Sequence, residues 1–218
     1  MKMSSRKKDI IDTSIALFNQ EGCLSTSTRH IADNMGISVG NLYYYFKNKE
    51  DILVQILQEY THSLFESLHA FDFANNRQFL FKEFLLQIQI LDAKYKFLHT
   101  EMHSIIVTFP QFKLSMRSIM NDEVNLMRKL IVHQIEHGYM VELEKNEIEH
   151  LIANARILKL SSAGYWNIIE DRPQVNSQMA SLSLFYFLHP YLTQKAYDDE
   201  SWHQLEANLL KEVADVKM

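Results

Sequence analysis

Residues 26–52, TSTRHIADNMGISVGNLYYYFKNKEDI, constrain this chain more than any other stretch, because their pattern fits two short helices with a tight turn between them. Thr26 carries the hydroxyl of an N-cap, able to accept a hydrogen bond from a free first-turn amide. Ile31, Ala32 and Met35 then fall on one face at helical spacing. Gly36 can take the positive φ that ends this helix, and the turn runs through Ile37. Ser38 is a second N-cap, for a helix over 39–46 of only about two turns, too short to persist alone in water. Leu42 and Phe46, at i and i+4, must therefore be covered, which leaves Asn41, Tyr44 and Tyr45 facing elsewhere. Two short helices joined by a Gly-containing turn form the helix-turn-helix layout, whose second helix enters the DNA major groove. The alternative is an ordinary helical hairpin, and the spare aromatics and amides on the outer face of the second helix argue against it.

The order Thr26, Ile31-Ala32, Gly36-Ile37-Ser38, Gly40, Leu42-Tyr43, Phe46, Lys49, Ile52 resembles the motif of the TetR family of bacterial transcriptional regulators, over roughly residues 8–54. The resemblance implies an all-α chain with an N-terminal three-helix helix-turn-helix domain, residues 1–48. A larger helical domain, 49–218, would bind a small effector and dimerise. It also implies repression by default, relieved when the effector moves the DNA-binding heads out of register. One position departs: family members often carry His before the Phe, and here it is Tyr45, whose phenol can still donate to a phosphate.

The outward side chains of the motif divide by chemistry. Thr26, Tyr43, Tyr45 and Lys49 are expected at phosphates, with Arg29 also at the DNA. Val39, Gly40, Asn41 and Tyr44 are expected nearest base edges. Phosphate contacts fix register and base contacts specify. The expected partner is a double-stranded, palindromic operator read by a homodimer, since one head reads too few base pairs for useful specificity.

The net charge of −5 looks wrong for a DNA binder until it is divided. Residues 1–49 hold seven basic and four acidic side chains, a net +3, and the remainder holds 15 basic and 23 acidic, a net −8. A basic head and an acidic body are what a protein needs if only its head meets phosphate. Apolar residues make up 47% of the 218, with five Gly and three Pro, which suits a nearly all-helical chain with a well-filled core. Cys23 is the only cysteine, so no internal disulfide forms and a reducing cytoplasm is the expected setting. The longest apolar run, 182–192, contains Ser183, His189 and Pro190 and is too short to span a bilayer, so no membrane association is expected.

Helical periodicity predicts a first helix over 6–20 with Ile11, Ile15 and Phe18 inward, preceded by Arg6, Lys7 and Lys8 as a basic arm. Further helices are expected over 49–71, 78–98, 99–109, 110–138, 144–169, 177–193 and 199–216, with a connector at 71–77. The helices 144–169 and 177–193 are apolar on several faces and are expected to pack against their symmetry mates, with Leu184 and Phe187 in that contact. An effector cavity is expected among Tyr60, Leu64, Phe84, Ile88, Tyr95, His103, Met120 and Trp166, for a mostly apolar ligand held by one or two polar atoms. His133 and His137 sit in an H-x-x-E-H pattern, and His99 and His103 form a second i, i+4 pair, the spacing a metal needs. No third ligand or cleft is identifiable for the first pair, and the second suits polar groups near a cavity or in the core better than a metal sensor. The rival to the sensor reading is a DNA-bound interaction protein without a small-molecule effector, whose body would be filled and hold no cavity. No cofactor is expected, and no Ser-His-Asp order or phosphate-cradling Gly loop marks a catalytic site.

Overall fold

The structure, a computed structural model, describes residues 5–69, 81–170 and 176–217. Within them the chain is helical, as expected, and no strand occurs among the described residues. The connector expected at 71–77 and Pro173 lie outside the described residues. No described helix is long and apolar enough to cross a membrane.

Two compact units are present, Met1–Ser63 with Lys94–Met120, and Leu64–Ala93 with Asn121–Met218. The first contains α1 (Ser5–Glu21), α2 (Thr28–Asn34), α3 (Val39–Tyr45) and most of α4 (Lys49–His69). It also contains α6 (Lys96–Thr100) and α7 (Met102–Thr108). Its core is built from Ile11, Ile15 and Phe18 of α1, Ile31 and Ala32 of α2, and Leu42, with Ile52 and Ile56 from α4. Phe18 meets Phe97 edge-on, with ring centroids 5.1 Å apart, a favoured arrangement of ring quadrupoles.

The helix expected over 78–98 is instead two. α5 (Phe81–Lys94) ends where Tyr95 leaves helical geometry at φ −112°, ψ 40°, and α6 follows. Asn19 makes the break tolerable: its Nδ2 donates to the Lys94 carbonyl at 2.9 Å, and its Oδ1 accepts from the Phe97 amide at 3.0 Å. A single side chain on α1 thus satisfies backbone groups on both sides of the interruption. Nothing in the local sequence of 78–98 signals it.

α8 (Pro110–Glu136) begins at Pro110, a residue suited to a first helical turn. Its next two amides are capped from α4, where Glu50 Oε1 accepts from Gln111 N at 2.6 Å and Phe112 N at 3.2 Å. It ends at Gly138, whose φ of +73° closes a Schellman motif: Gly138 N to Ile135 O and Tyr139 N to Gln134 O, both 2.9 Å.

In the second unit, α9 (Lys145–Glu170) and α12 (Glu200–Lys217) both pack against α10 (Asn176–Leu188). Phe185 stacks on Trp202 with centroids 4.0 Å apart. α10 stops at Leu188, short of the expected 193: Pro190 lies in a 3-10 turn, His189–Tyr191, that follows it. Two small features go beyond what periodicity predicts, a four-residue helix α11 (Gln194–Tyr197) and an isolated antiparallel bridge between Met140 and Leu192.

Candidate functional site

The helix-turn-helix is built by side chains that satisfy its own helix ends. The N-cap of α2 is Ser27 and not Thr26: Ser27 Oγ accepts from His30 N at 3.1 Å. Gly36, at φ +64°, closes α2 with a second Schellman motif, Gly36 N to Asp33 O at 3.1 Å and Ile37 N to Ala32 O at 3.0 Å. Ser38 caps α3, as expected, accepting from Asn41 N at 3.1 Å. Leu42 and Phe46 are buried, and this anchors the two-turn α3.

Anchoring by Leu42 and Phe46 leaves the other side of α3 to solvent. Gly40 and Asn41 are exposed, Tyr44 is 83% exposed and Tyr43 is 47% exposed. Val39 and Tyr45 are half-buried, with the Tyr44 and Tyr45 rings meeting edge-on at 5.0 Å. Tyr43 OH lies 3.1 Å from Thr28 Oγ1, so two hydroxyls from different helices meet at the same surface. Nothing in the sequence alone singles out Thr28 beyond its position two residues after Thr26, in a run of Ser and Thr. Arg29 is exposed, 3.9 Å from Asp33.

Two residues expected at phosphates have inward roles instead. Thr26 is fully buried and its hydroxyl donates to the Gly22 carbonyl at 2.8 Å. Lys49 Nζ donates to the carbonyls of Cys23 and Thr26, at 2.8 and 2.9 Å, and lies 3.4 Å from that of Leu24. Glu101 completes the clamp by accepting from Cys23 N at 2.7 Å and Leu24 N at 3.2 Å. Gly22 is required here: its φ is +91°, and a Cβ on it would lie only 3.3 Å from the Glu101 carboxylate. Cys23 is enclosed by this loop, and burial pushes its thiol up to about 12. Of the basic arm, Lys7 folds back, its amine donating to Gln55 Oε1 at 2.9 Å and lying 5.2 Å from the Phe46 ring, while Arg6 and Lys8 are exposed.

The second unit holds a cavity of about 60 Å³. Leu64, Phe84 and Ile88 line it, joined by Leu126, Met127, Ala155 and Leu184. The charged side chains at its wall are paired: Arg156 Nη2 lies 3.6 Å from Glu123 Oε2, and Lys159 Nζ lies 3.2 Å from Asp92 Oδ1. The other expected cavity residues are elsewhere. Tyr60 and Tyr95 are buried edge-on to each other, 5.5 Å apart, in the first unit. His103 is exposed and Met120 half-buried. Trp166 is half-buried, its Nε1 donating to Ser183 Oγ at 3.2 Å. Leu184, expected at a contact between copies, is buried against the cavity.

His133 and His137 stack at 4.2 Å, with His137 Nδ1 on the His133 carbonyl at 2.8 Å and His133 Nδ1 beside Gln134 Nε2 at 2.9 Å. Among the described residues no group of three or more His, Cys, Asp or Glu could hold a metal.

Two family models match this chain, one described as bacterial regulatory proteins, tetR family, over residues 10–56, the other as bacterial transcriptional repressor, over residues 59–199. The repressor KstR2 of Mycolicibacterium smegmatis is 34% identical over 62 residues, 28% of this chain and 30% of that protein. The sequence match thus spans less than a third of that relative's length. A TetR-family regulator of Marinobacter aquaeolei superposes with a TM-score of 0.79 at 21% identity, covering 96% of this chain and 99% of that one. The ketosteroid regulator KstR2 of Mycobacterium tuberculosis superposes with a TM-score of 0.62 at 19% identity, covering 88% and 97%. At these identities the likeness is one of fold.

Proposed function

This chain belongs to the tetR family of bacterial regulatory proteins, and from that premise we propose that it binds operator DNA as a homodimer and represses transcription until a small, mostly apolar effector releases it. The observation that carries the reading is the division of α3: Leu42 and Phe46 buried, Gly40, Asn41 and Tyr44 outward. Asn41 is the side chain chemically fitted to read a base, since its amide can donate and accept at an adenine edge. Thr28, Tyr43, Tyr45 and Arg29 supply donors to flanking phosphates, and Gly40 lets the backbone come close.

In roles, residues 1–48 form the DNA-reading head and 49–218 the effector and dimerisation body. Packing divides the chain differently, since most of α4 and residues Lys94–Met120 belong with the head. α4 carries both Lys49, which clamps the α1–α2 loop, and Leu64, which lines the cavity. A ligand changes operator affinity only through unequal affinity for the two head arrangements, and α4 is the element whose movement both sites feel. Dimerisation is supported by α9, where Ile157, Tyr165, Ile168 and Ile169 are exposed large hydrophobics. The cytoplasm is the compartment where such a protein meets its operator, and no catalytic chemistry is required of it.

Asn41→Ala tests the reading. It is expected to blunt discrimination at one or two operator base pairs by about 1–3 kcal/mol each, measured by competition gel shift with single-base operator variants. Unchanged sequence preference would remove α3 from the reading role.

A further inference from the structure

The cavity of the second unit specifies the charge of what it takes. Resting on the proposal that this cavity receives the effector, we infer that the effector is uncharged, with an apolar body and a terminal hydroxyl or carbonyl oxygen seated beside Ser181. Two observations carry this.

The first is electrostatic. Arg156 and Lys159 stand one turn apart on α9, and each faces a carboxylate from another helix, Glu123 of α8 and Asp92 of α5, at 3.6 and 3.2 Å. All four side chains are at least four-fifths buried. The wall therefore carries Arg156, Lys159 and Glu123, and Asp92 pairs with Lys159, so every charge at the wall is already matched. An ionised ligand head would enter without a counter-charge, or would have to break a buried pair and strand one member, and both are costly in a low-dielectric site.

The second is Ser181. It is 4% exposed, and its hydroxyl has no hydrogen-bond partner, a costly condition for a buried polar atom. It lines a niche of about 10 Å³ with Asp92 and Lys159. That niche shares Ile88, Lys159 and Leu184 with the larger cavity. Its volume is close to the least that seats a single water-sized group. A hydroxyl there could both donate and accept, and a carbonyl could accept from Ser181 or Lys159. Neither brings a net charge.

The test is titration of the full-length chain with 1-octanol, octanoate and octylammonium, followed by tryptophan fluorescence and thermal shift. Octanol is expected to bind at least tenfold more tightly than either ion. Ser181→Ala, a change that suits a helix interior, should weaken octanol binding by roughly three- to tenfold, the worth of one neutral hydrogen bond, and leave the ions unaffected. Octanoate or octylammonium binding as tightly as octanol would overturn the inference while leaving the cavity as an effector site. Octanol binding that ignores Ser181→Ala would also overturn it, marking the niche as a place for bound water. If none of the three binds, the cavity reading itself fails.

Discussion

Lys49 and Glu101 hold the same loop through opposite chemistry. Lys49 Nζ donates to the Cys23 carbonyl at 2.8 Å, and Glu101 accepts from the Cys23 amide at 2.7 Å. One peptide segment thus has its acceptors neutralised by a cation from α4 and its donors by an anion from the start of α7. The loop leads from α1 into α2, so this clamp sets where α2, and the α3 packed on it, can point.

The clamp makes a prediction about salt. Removing Lys49 by Lys49→Ala leaves carbonyls of a tight loop without their charged donor, a loss of about 2 kcal/mol of stability, measured by urea unfolding. Operator affinity should fall too, because the head is less well placed. The slope of log affinity against log salt should stay the same, whereas removal of a phosphate contact would reduce it by about one. A reduced slope would return Lys49 to the DNA.

This residue shows what the sequence could and could not reveal. The Leu42/Phe46 spacing and the Gly36 and Ser38 turn chemistry are local signals, and the helices they predict are present. The amine of Lys49 turns inward because of carbonyls 23 to 26 positions earlier in the chain, and no local pattern reports such a partner. Asn19 at the Tyr95 break and Glu50 of α4 at the start of α8 are the same kind of event, one side chain serving backbone groups far along the chain. Leu64, Phe84 and Ile88 are inward-facing residues of the kind that helical period identifies. It does not say which inward face opens onto a void, and Tyr60 and Tyr95 fill each other's space instead.

Cys23 provides a pH test. Its thiol is raised from 9.0 to about 12, chiefly by burial, with Lys49 opposing and Glu101 adding. The folded state therefore holds its proton where the unfolded chain has lost it. The stability this contributes is complete below pH 9 and drains as pH rises toward 12, by up to about 1.4 kcal/mol per unit. Chemical denaturation between about pH 8 and 10.5 should show a steeper decline for the natural chain than for Cys23→Ala. Identical slopes would mean that the thiol ionises freely in the folded loop.

The exposed apolar side chains of α9 predict how copies meet. Ile168 is 83% exposed, so a charge there should not disturb the protomer. Ile168→Glu is expected to give a folded monomer by light scattering with the helical circular dichroism of the parent. Leu184→Glu is a poor probe of the same contact, because Leu184 lies against the cavity and its charge would damage the core. A dimer undisturbed by Ile168→Glu would move the contact to another face.

Selection from a pool of random duplexes tests most directly whether paired copies of α3 read DNA sequence. The natural chain should enrich a palindrome whose half-sites lie on one face of the duplex, about one helical turn of 34–36 Å or a multiple apart. Asn41→Ala carried through the same selection should return that palindrome with one or two positions in each half-site degenerate. A pool that stays random, or a single unpaired site that Asn41→Ala selects equally well, would contradict sequence reading by paired α3 helices.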